Sequence, residues 1–219
     1  MPLALLALTL GAFGIGTTEF VVVGLLPDIA DTYGVSIPTA GLLVTGYALG
    51  VVAGAPLMTG LGTRVSRKRM LLGMLVLLVA GNVLSAVAPT FGLMLTGRIV
   101  ASLAHGAFFG IGAVVAGSVV RPDKRAGAIA IMFTGLTVAT MVGVPFGTLL
   151  GQQFGWRLTF LIVALVGLVG LLGVALLVPE QPAPQDAPLL TLKAQIPKTH
   201  VLLAMAMTVQ GFAGVYPSI

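Results

Sequence analysis

The chain has 219 residues, of which 58% are hydrophobic and only 8% are charged, and its mean hydropathy is +1.12. A soluble domain carries about a quarter of its residues as charged side chains, so most of this surface faces lipid rather than water. The net charge of +5 does not indicate a nucleic-acid-binding protein, because the basic residues lie in short gaps between apolar runs and form no continuous face.

Six apolar runs are each long enough to cross a bilayer, which needs about 20 residues in a helix. They cover about residues 3–27, 40–62, 70–89, 92–120, 126–150 and 157–178, and a seventh run covers 201–219. The first run has no basic residues before it and is longer than the core of a secretion signal, so we predict a retained helix. Turn signals such as Pro27-Asp28 and Ala88-Pro89 separate the runs.

The stretch 179–200 contains five prolines together with Glu180, Asp186, Lys193 and Lys198, a composition typical of a polar linker. We therefore predict an all-α integral membrane protein with three parts. These are a six-helix half over 1–178, a cytoplasmic linker over 179–200 and a truncated seventh helix over 201–219. A second six-helix half is expected to be missing from this chain, and the fragment alone is expected not to transport.

The loops between the runs differ strongly in basic residues. Nine lie in loops 2–3 and 4–5 and in the linker: Arg64, Arg67, Lys68, Arg69, Arg121, Lys124, Arg125, Lys193 and Lys198. On the opposite side only Arg157 is basic. Because basic loops stay in the cytoplasm, this asymmetry predicts a cytoplasmic N-terminus.

Glycines recur at every fourth position in two of the runs: Gly46, Gly50 and Gly54 in span 2, and Gly143, Gly147 and Gly151 in span 5. This spacing predicts a flat groove in which another backbone approaches closely. Spans 2 and 5 occupy equivalent places in two three-helix units, a pattern that hints at an internal repeat. Pro145 removes a backbone donor and predicts a kink in span 5, which fits a gating helix as well as one that only packs.

Three polar residues inside the spans are candidates for chemistry. Glu19 lies in span 1, where a charged carboxylate costs about 2.5–3.5 kcal/mol and packing does not require it. It is a candidate proton carrier, or alternatively a structural carboxylate held by an ion pair. Arg98 in span 4 lies at a similar depth and could contact Glu19, snorkel outward or bind backbone carbonyls. His105 shares the helix face of Arg98, and could relay protons, contact substrate or satisfy a helix crossing.

The sequence indicates no catalytic or cofactor chemistry. It contains no cysteine, and His105 and His200 are too far apart in sequence to indicate a metal, so we predict no metal and no cofactor. It also lacks a phosphate-binding glycine loop followed by Lys and Ser or Thr, and a nucleophile elbow. We predict that the protein is not an enzyme and that active transport would draw on an ion gradient.

Several segments together resemble the major facilitator superfamily, in its bacterial drug:proton antiporter branch near the arabinose-efflux and chloramphenicol-resistance permeases. The matching segments are Glu19-Phe20, Gly24-Leu25-Leu26-Pro27, Tyr47-Ala48-Leu49-Gly50, His105-Gly106-Ala107-Phe108-Phe109-Gly110, Gly135-Leu136-Thr137-Val138-Ala139, Gly143-Val144-Pro145-Phe146-Gly147 and Gly155-Trp156-Arg157. The resemblance covers residues 3 to about 178. It implies a six-helix N-terminal bundle with part of a seventh helix, and a cavity between two such halves.

The resemblance also implies roles for particular residues. The family's loop 2–3 motif, which helps hold the outward-open state, normally reads Gly-x-x-x-Asp-Arg-x-Gly-Arg-Arg. Here Arg64, Arg67 and Lys68 match it, while Thr63 replaces its aspartate, which puts the usual charge relay in doubt. The resemblance further associates Arg98 with proton coupling. Gly143, Pro145 and Gly147 resemble the antiporter motif of span 5, although Val144 interrupts its usual Gly-Pro pair.

The function expected on these grounds is export of small neutral or amphipathic compounds, such as antibiotics or sugars, in exchange for protons across the bacterial inner membrane. Glu19 would bind the proton, Arg98 would tune that binding, and Tyr47, His105 and Phe109 would line the substrate path. The partners are thus substrate, protons and the lipid bilayer, with no nucleic acid. The alternatives are an uncoupled facilitator, a membrane-embedded interaction or sensor protein, and a fragment that transports nothing.

The predicted topology can be tested by labelling from either side of the membrane. Cysteines introduced singly at Ser36 and Ser66 should react with a membrane-impermeant thiol reagent from opposite sides, because a single span, span 2, lies between them. The chain has no native cysteine, so the parent sequence is its own background control. Labelling of both positions from the same side would contradict the predicted topology.

Overall fold

The computed structural model describes residues 3–62 and 65–181, with the side chains of Thr59 and Leu61 excepted. Over these ranges the chain forms helices joined by short turns. Single helices or runs of consecutive helices make up six candidate spans that are long and apolar enough to cross a membrane. These candidate spans are Leu3–Tyr33, Ile37–Met58, Arg67–Val87, Phe91–Ser118, Pro122–Phe154 and Trp156–Leu177. The six predicted spans are confirmed. Arg64, residues 182–200 of the predicted linker and the predicted helix over 201–219 lie outside the described residues.

Span 1 is longer than the predicted 3–27. Helix α1 covers Leu3–Val21, a 3₁₀ segment covers Val22–Leu25, and α2 covers Leu26–Tyr33. The prediction that Pro27 marks a turn is wrong, because Pro27 lies in the first turn of α2, where a missing N–H costs nothing. The helix ends instead at Gly34, which adopts the left-handed conformation at φ 62°.

Spans 2 and 3 begin at capping serines. Ser36 accepts a hydrogen bond from the Thr39 backbone N–H before α3 (Ile37–Ala40), and α4 (Leu42–Leu61) follows. Ser66 likewise accepts from the backbone N–H of Arg69 at the start of α5 (Arg67–Val87). An N-cap hydroxyl satisfies one of the free N–H groups of the first turn, so both helices begin a few residues earlier than hydropathy alone predicts.

Spans 4 and 5 are each interrupted. Span 4 comprises α6 (Phe91–Ser102) and α7 (His105–Ser118), with a short turn between them. Span 5 comprises a 3₁₀ turn (Pro122–Lys124), α8 (Arg125–Val138), a π-helical segment (Ala139–Gly143) and α9 (Val144–Phe154). Span 6 is the single helix α10 (Trp156–Leu177), which follows Gly155 at φ 92°.

The packing of the spans repeats after three helices. Span 1 packs against spans 5 and 6, span 4 packs against spans 2 and 3, and span 3 packs against span 6. Span 4 thus contacts spans 2 and 3 as span 1 contacts spans 5 and 6, so each span of one three-helix unit has a counterpart three places along in the other unit. This exchange is the contact pattern expected of two equivalent three-helix units.

The two glycine series lie at the close helix contacts, as their spacing predicts. A Cβ atom at Gly46 would lie 2.7 Å from Leu95 Cδ1, and one at Gly54 would lie 2.8 Å from Leu103 Cα, so the groove of span 2 receives span 4. In span 5, a Cβ at Gly147 would lie 2.9 Å from Val21 Cγ2 in span 1. The small residues thus permit helix spacings that any side chain would prevent.

A layer of buried polar residues separates two apolar clusters. One cluster surrounds Leu8, Leu75 and Phe108, and the other surrounds Leu25 and Phe160. Between them along span 1 come Thr17 and Thr18, and the other buried polar residues of the described chain are Asn82, Ser85, Arg98, Ser102 and Thr159. The candidate functional site lies in this layer.

The contact between spans 3 and 4 predicts a sharp difference between two glycines of α5. A Cβ at Gly81 would lie 2.5 Å from the Ala101 backbone nitrogen and 2.6 Å from the Gly97 carbonyl oxygen, and neither can move alone. We expect Gly81→Ala to destabilise the fold by about 1–3 kcal/mol, as overpacking does. In Gly73→Ala, the matched control, the new methyl meets nothing within 4 Å.

Unfolding of both variants can be followed by circular dichroism in mixed micelles of increasing denaturing detergent. The control should be as stable as the parent or more stable by up to about 1 kcal/mol, since alanine favours a helix. Equal stability of the two variants would contradict the close contact at Gly81.

Candidate functional site

The Glu19 carboxyl group and the His105 imidazole are in contact inside the helix bundle. Glu19 lies near the end of α1, and His105 is the first residue of α7. His105 Nδ1 is 3.7 Å from Glu19 Oε2, and the two side chains are 15% and 19% exposed respectively. Two protonatable groups are therefore adjacent and only partly accessible. The break in span 4 places His105 at the start of a helix, facing span 1.

Arg98 reaches the same turn of span 1 but binds its backbone. The side chain is 1% exposed. Its Nη1 donates to the Thr18 carbonyl oxygen at 2.5 Å and its Nη2 donates to the Glu19 carbonyl oxygen at 3.2 Å. A backbone carbonyl oxygen can accept two hydrogen bonds, and these two oxygens lie in the last turn of α1, before it passes into the 3₁₀ segment. Of the three possibilities open from the sequence, binding to backbone carbonyls is the one the structure has.

Aromatic rings cover the rest of the Arg98 guanidinium. Its Cζ lies 4.4 Å from the ring centroid of Tyr47 and 5.8 Å from that of Phe160. Aromatic faces attract a cation, by about 2 kcal/mol or more where water is excluded. Within the described chain Arg98 Nε has no hydrogen-bond partner. Carbonyl oxygens and rings thus hold a buried cation, and the Glu19 carboxyl group contacts His105 instead.

The three residues predicted to line a substrate path lie side by side. Tyr47 Oη and His105 Nδ1 are 3.4 Å apart, and the rings of His105 and Phe109 have centroids 5.2 Å apart. Tyr47 is buried beneath Arg98, however, so only His105 and Phe109 present partly exposed surface. Phe133 of α8 stacks on Phe109 at 5.2 Å with an interplanar angle of 23° and is more exposed.

Sequence reasoning missed two polar residues of this layer. The Thr18 hydroxyl donates a short hydrogen bond to Asn82 Oδ1, and Asn82 Nδ2 donates to the Leu78 carbonyl oxygen at 2.8 Å. These bonds join span 1 to span 3 next to the Arg98 contacts. Asn82 could have been found from the sequence, because an amide inside an otherwise apolar span indicates an interhelical hydrogen bond.

The described residues of the loop 2–3 motif lie at the opposite end of the bundle from Gly155. Arg67 and Lys68 form the first turn of α5, behind the capping Ser66. Ser66 Oγ also donates to Glu180 Oε1 at 2.9 Å, and Arg69 Nε lies 3.7 Å from the same oxygen. A carboxylate that follows span 6 therefore contacts the basic loop. In the motif of this loop, Thr63 stands where the family usually has aspartate.

The span 5 motif forms the junction between π-helix and α-helix. The Val144 backbone N–H donates to the Ala139 carbonyl oxygen, five residues earlier. Pro145 then lies in the first turn of α9, so its missing donor falls where the helix begins. Where the kink is predicted, the hydrogen-bond pattern is π-helical over Ala139–Gly143. Gly147 accepts a hydrogen bond from the Thr159 hydroxyl at 2.8 Å, which links span 5 to span 6.

The fold and these motifs define a class of membrane transporter. The family model for the Major Facilitator Superfamily matches residues 8–218. The chain therefore belongs to the major facilitator superfamily, and the resemblance inferred from its sequence is confirmed.

Individual relatives agree with this assignment. The inner membrane transport protein YdhP of Escherichia coli is 46% identical over 212 residues, which cover 97% of this chain and 54% of that protein. The chloramphenicol resistance protein of Streptomyces lividans is 37% identical over 211 residues, covering 94% and 54%. A crystal structure of the peptide transporter POT with sulfate shares the fold at a TM-score of 0.72 and 16% identity, covering 97% of this chain and 46% of that one. The chain spans about half the length of the curated relatives it matches.

The contacts of Arg98 predict that lysine cannot replace it. One ammonium on a flexible stem does not reproduce a fork that bonds two successive carbonyls and lies flat on a ring. We expect Arg98→Lys to lose about 1.5–3 kcal/mol of stability, the range for a hydrogen bond to a charged group. Detergent-induced unfolding would measure the change. Arg69→Lys is the matched control, since an exposed pair contributes at most about 1 kcal/mol. A fully stable Arg98→Lys protein would contradict the bidentate contact.

Proposed function

We propose that this chain provides the first six-helix half of a proton-coupled exporter of the bacterial inner membrane. The exported compounds are small neutral or amphipathic molecules, such as antibiotics or sugars. Two relatives support this proposal by their names, one being a chloramphenicol resistance protein and the other an inner membrane transport protein. Membership of a transporter family and six candidate spans support transport itself.

The observation that carries proton coupling is the contact between Glu19 and His105. A coupling proton needs a group that is neutral in one state and charged in the other, at a place that opens to either side in turn. Glu19 is such a group in a span that is otherwise apolar, and packing would accept a glutamine or leucine there. His105 at 3.7 Å can accept the proton, donate it, or pair with the carboxylate after release.

Arg98 contributes by position in this proposal. By bonding the Thr18 and Glu19 carbonyls it fixes the rotation of span 1, and so keeps the Glu19 side chain beside His105. Its positive charge also favours the ionised carboxylate nearby and so tunes proton binding. Both effects require that the guanidinium stay charged, which the ring of Tyr47 supports.

The conformational part of the cycle would use the two places that the family motifs mark, the loop between spans 2 and 3 and the middle of span 5. We assign the conformational role of loop 2–3 to Arg67 and Lys68, together with Arg64. Glu180 supplies the carboxylate that this loop's own sequence lacks at Thr63. The π-helical junction before Gly143, Pro145 and Gly147 provides a place where span 5 can rewind without breaking a helix.

An assay in everted membrane vesicles tests proton coupling. The chain would be joined to, or co-expressed with, a second six-helix half, and a pH-sensitive dye would report proton movement when chloramphenicol is added. Glu19→Gln should abolish uphill export and the proton signal, because an amide cannot ionise, while the shape and hydrogen-bonding capacity of the side chain are kept. Asp31→Asn is the matched control, since it removes an exposed carboxylate at the end of the same span.

The possible outcomes distinguish the alternatives. Substrate movement without any proton signal in the parent would identify an uncoupled facilitator. Full uphill export by Glu19→Gln would exclude Glu19 as the essential carrier. Equal losses in Glu19→Gln and Asp31→Asn would indicate a general loss of folded protein, which the amount of correctly inserted protein in the vesicles would reveal.

A further inference from the structure

A row of rings leads away from the candidate proton site. The His105 imidazole and the Phe109 ring have centroids 5.2 Å apart, and Phe109 stacks on Phe133 of α8, also at 5.2 Å, with an interplanar angle of 23°. Rings stacked at this separation with an offset attract each other. The row therefore joins span 4 to span 5, and it begins at the residue that contacts Glu19.

The two ends of the row differ in character, and both are accessible. At one end are the Glu19 carboxyl group and the His105 imidazole, whose side chains are 19% and 15% exposed. At the other end Phe133 is 39% exposed. A Cβ at Gly110, the residue after Phe109, would meet nothing within 4 Å, so the described chain leaves the space beside Phe109 unfilled.

The accessible polar pair indicates that this face borders a cavity. Ionisable side chains within membrane spans face the bundle interior or a water-filled cavity, because a charge in lipid hydrocarbon is costly. Glu19 and His105 open on the same side as the row of rings, so Phe133 adjoins a cavity wall through its contact with Phe109. Phe154, which is 66% exposed on the same span, lies outside this row.

The order of groups along the row specifies what can bind. A ring face favours a second ring, and the polar pair offers hydrogen bonds at one end only. Because the centroids of Phe109 and His105 are 5.2 Å apart, a ligand needs only a short spacer between its ring and its polar group. A sugar fits this surface poorly, since hydroxyl groups on all its sides would lie unpaired over the rings.

We propose that this row is a substrate-binding surface for compounds that carry an aromatic ring and, on a short spacer, one hydroxyl or amide group. The ring stacks on Phe133 and Phe109, and the polar group bonds to His105 or Glu19. Phe133 thereby selects aromatic over saturated compounds. The inference rests on the proposed function in requiring a substrate cavity on this face, but it does not require proton coupling.

Equilibrium binding of two alcohols of similar shape tests the proposal. The two-half protein of the vesicle assay would be placed in nanodiscs without a proton gradient. Binding of 3-phenylpropan-1-ol and 3-cyclohexylpropan-1-ol would be measured by equilibrium dialysis, with the uptake of empty nanodiscs subtracted. At equal membrane activity we expect the phenyl compound to bind about 2- to 12-fold more tightly, the ratio that one stacked pair of aromatic rings provides.

Variants of Phe133 separate the aromatic ring from simple apolar bulk. Phe133→Leu should lower the preference for the phenyl compound at least about 2-fold, whereas Phe133→Tyr keeps a ring and should retain the preference. Phe154→Leu is the matched control, because it removes an exposed ring from the same span outside the row. Helicity by circular dichroism establishes that each variant is folded.

Three results would overturn the proposal. Equal affinity of the parent for the two alcohols would mean that the ring face is covered or takes no part in binding. An unchanged preference in folded Phe133→Leu would place the selection elsewhere, and failure of both alcohols to bind would exclude this surface as their site. A preference for the phenyl compound without a proton signal in vesicles would support this inference and contradict only the proposed coupling.

Discussion

The buried guanidinium of Arg98 is the constraint on which the centre of this bundle depends. A cation inside an apolar bundle needs oxygen acceptors for its N–H groups, and the end of α1 offers two successive carbonyls at the required spacing. Binding both fixes span 1 against span 4 in depth and in rotation. The position of the Glu19 carboxyl group beside His105 follows from that alignment, and so does the aromatic stack under the guanidinium. Charge, helix ends and ring faces therefore act as one unit in the polar layer.

Much of the fold could be predicted from the sequence, because its main features depend on properties of one span at a time. Length and hydropathy predict six crossings, and the spacing of Gly46, Gly50 and Gly54 predicts which face of span 2 is a close contact. The sequence could not show which helix fills that groove, because the spacing of glycines is the same whatever the partner. Pro27 was misjudged for a local reason. A proline ends one helix or begins the next with the same backbone geometry, and only the capping at Gly34 shows which occurs.

The candidate site was less predictable, because it depends on contacts between spans. Glu19, Arg98 and His105 could be singled out by the cost of burying each of them, and the structure does bring them to one place. The pairing of Arg98 with carbonyl oxygens was one of three possibilities, and the sequence could not select it, since backbone acceptors have no sequence signal. Phe133 was missed because a ring in a membrane span becomes significant only when its partner is known, whereas the amide of Asn82 in an apolar span was a signal that sequence reasoning overlooked. The roles of these residues in transport remain predictions until the vesicle experiments are made.

The π-helical segment determines where along span 5 the number of residues can change. Residues 139–143 contain one residue more than an α-helical path between the same flanking turns would need, as the bond from Val144 to Ala139 shows. Removal of a single residue there would restore regular α-helical winding and leave α9 in nearly its present rotation, whereas removal of a residue from the regular α8 would turn α9 by about 100° about its axis. After a deletion in α8, Gly147 and Gly151 would rotate away from spans 1 and 6, and bulky neighbours would enter the close contact. The π-helical segment is thus the place where span 5 can lose one residue and still present the same face of α9 to spans 1 and 6.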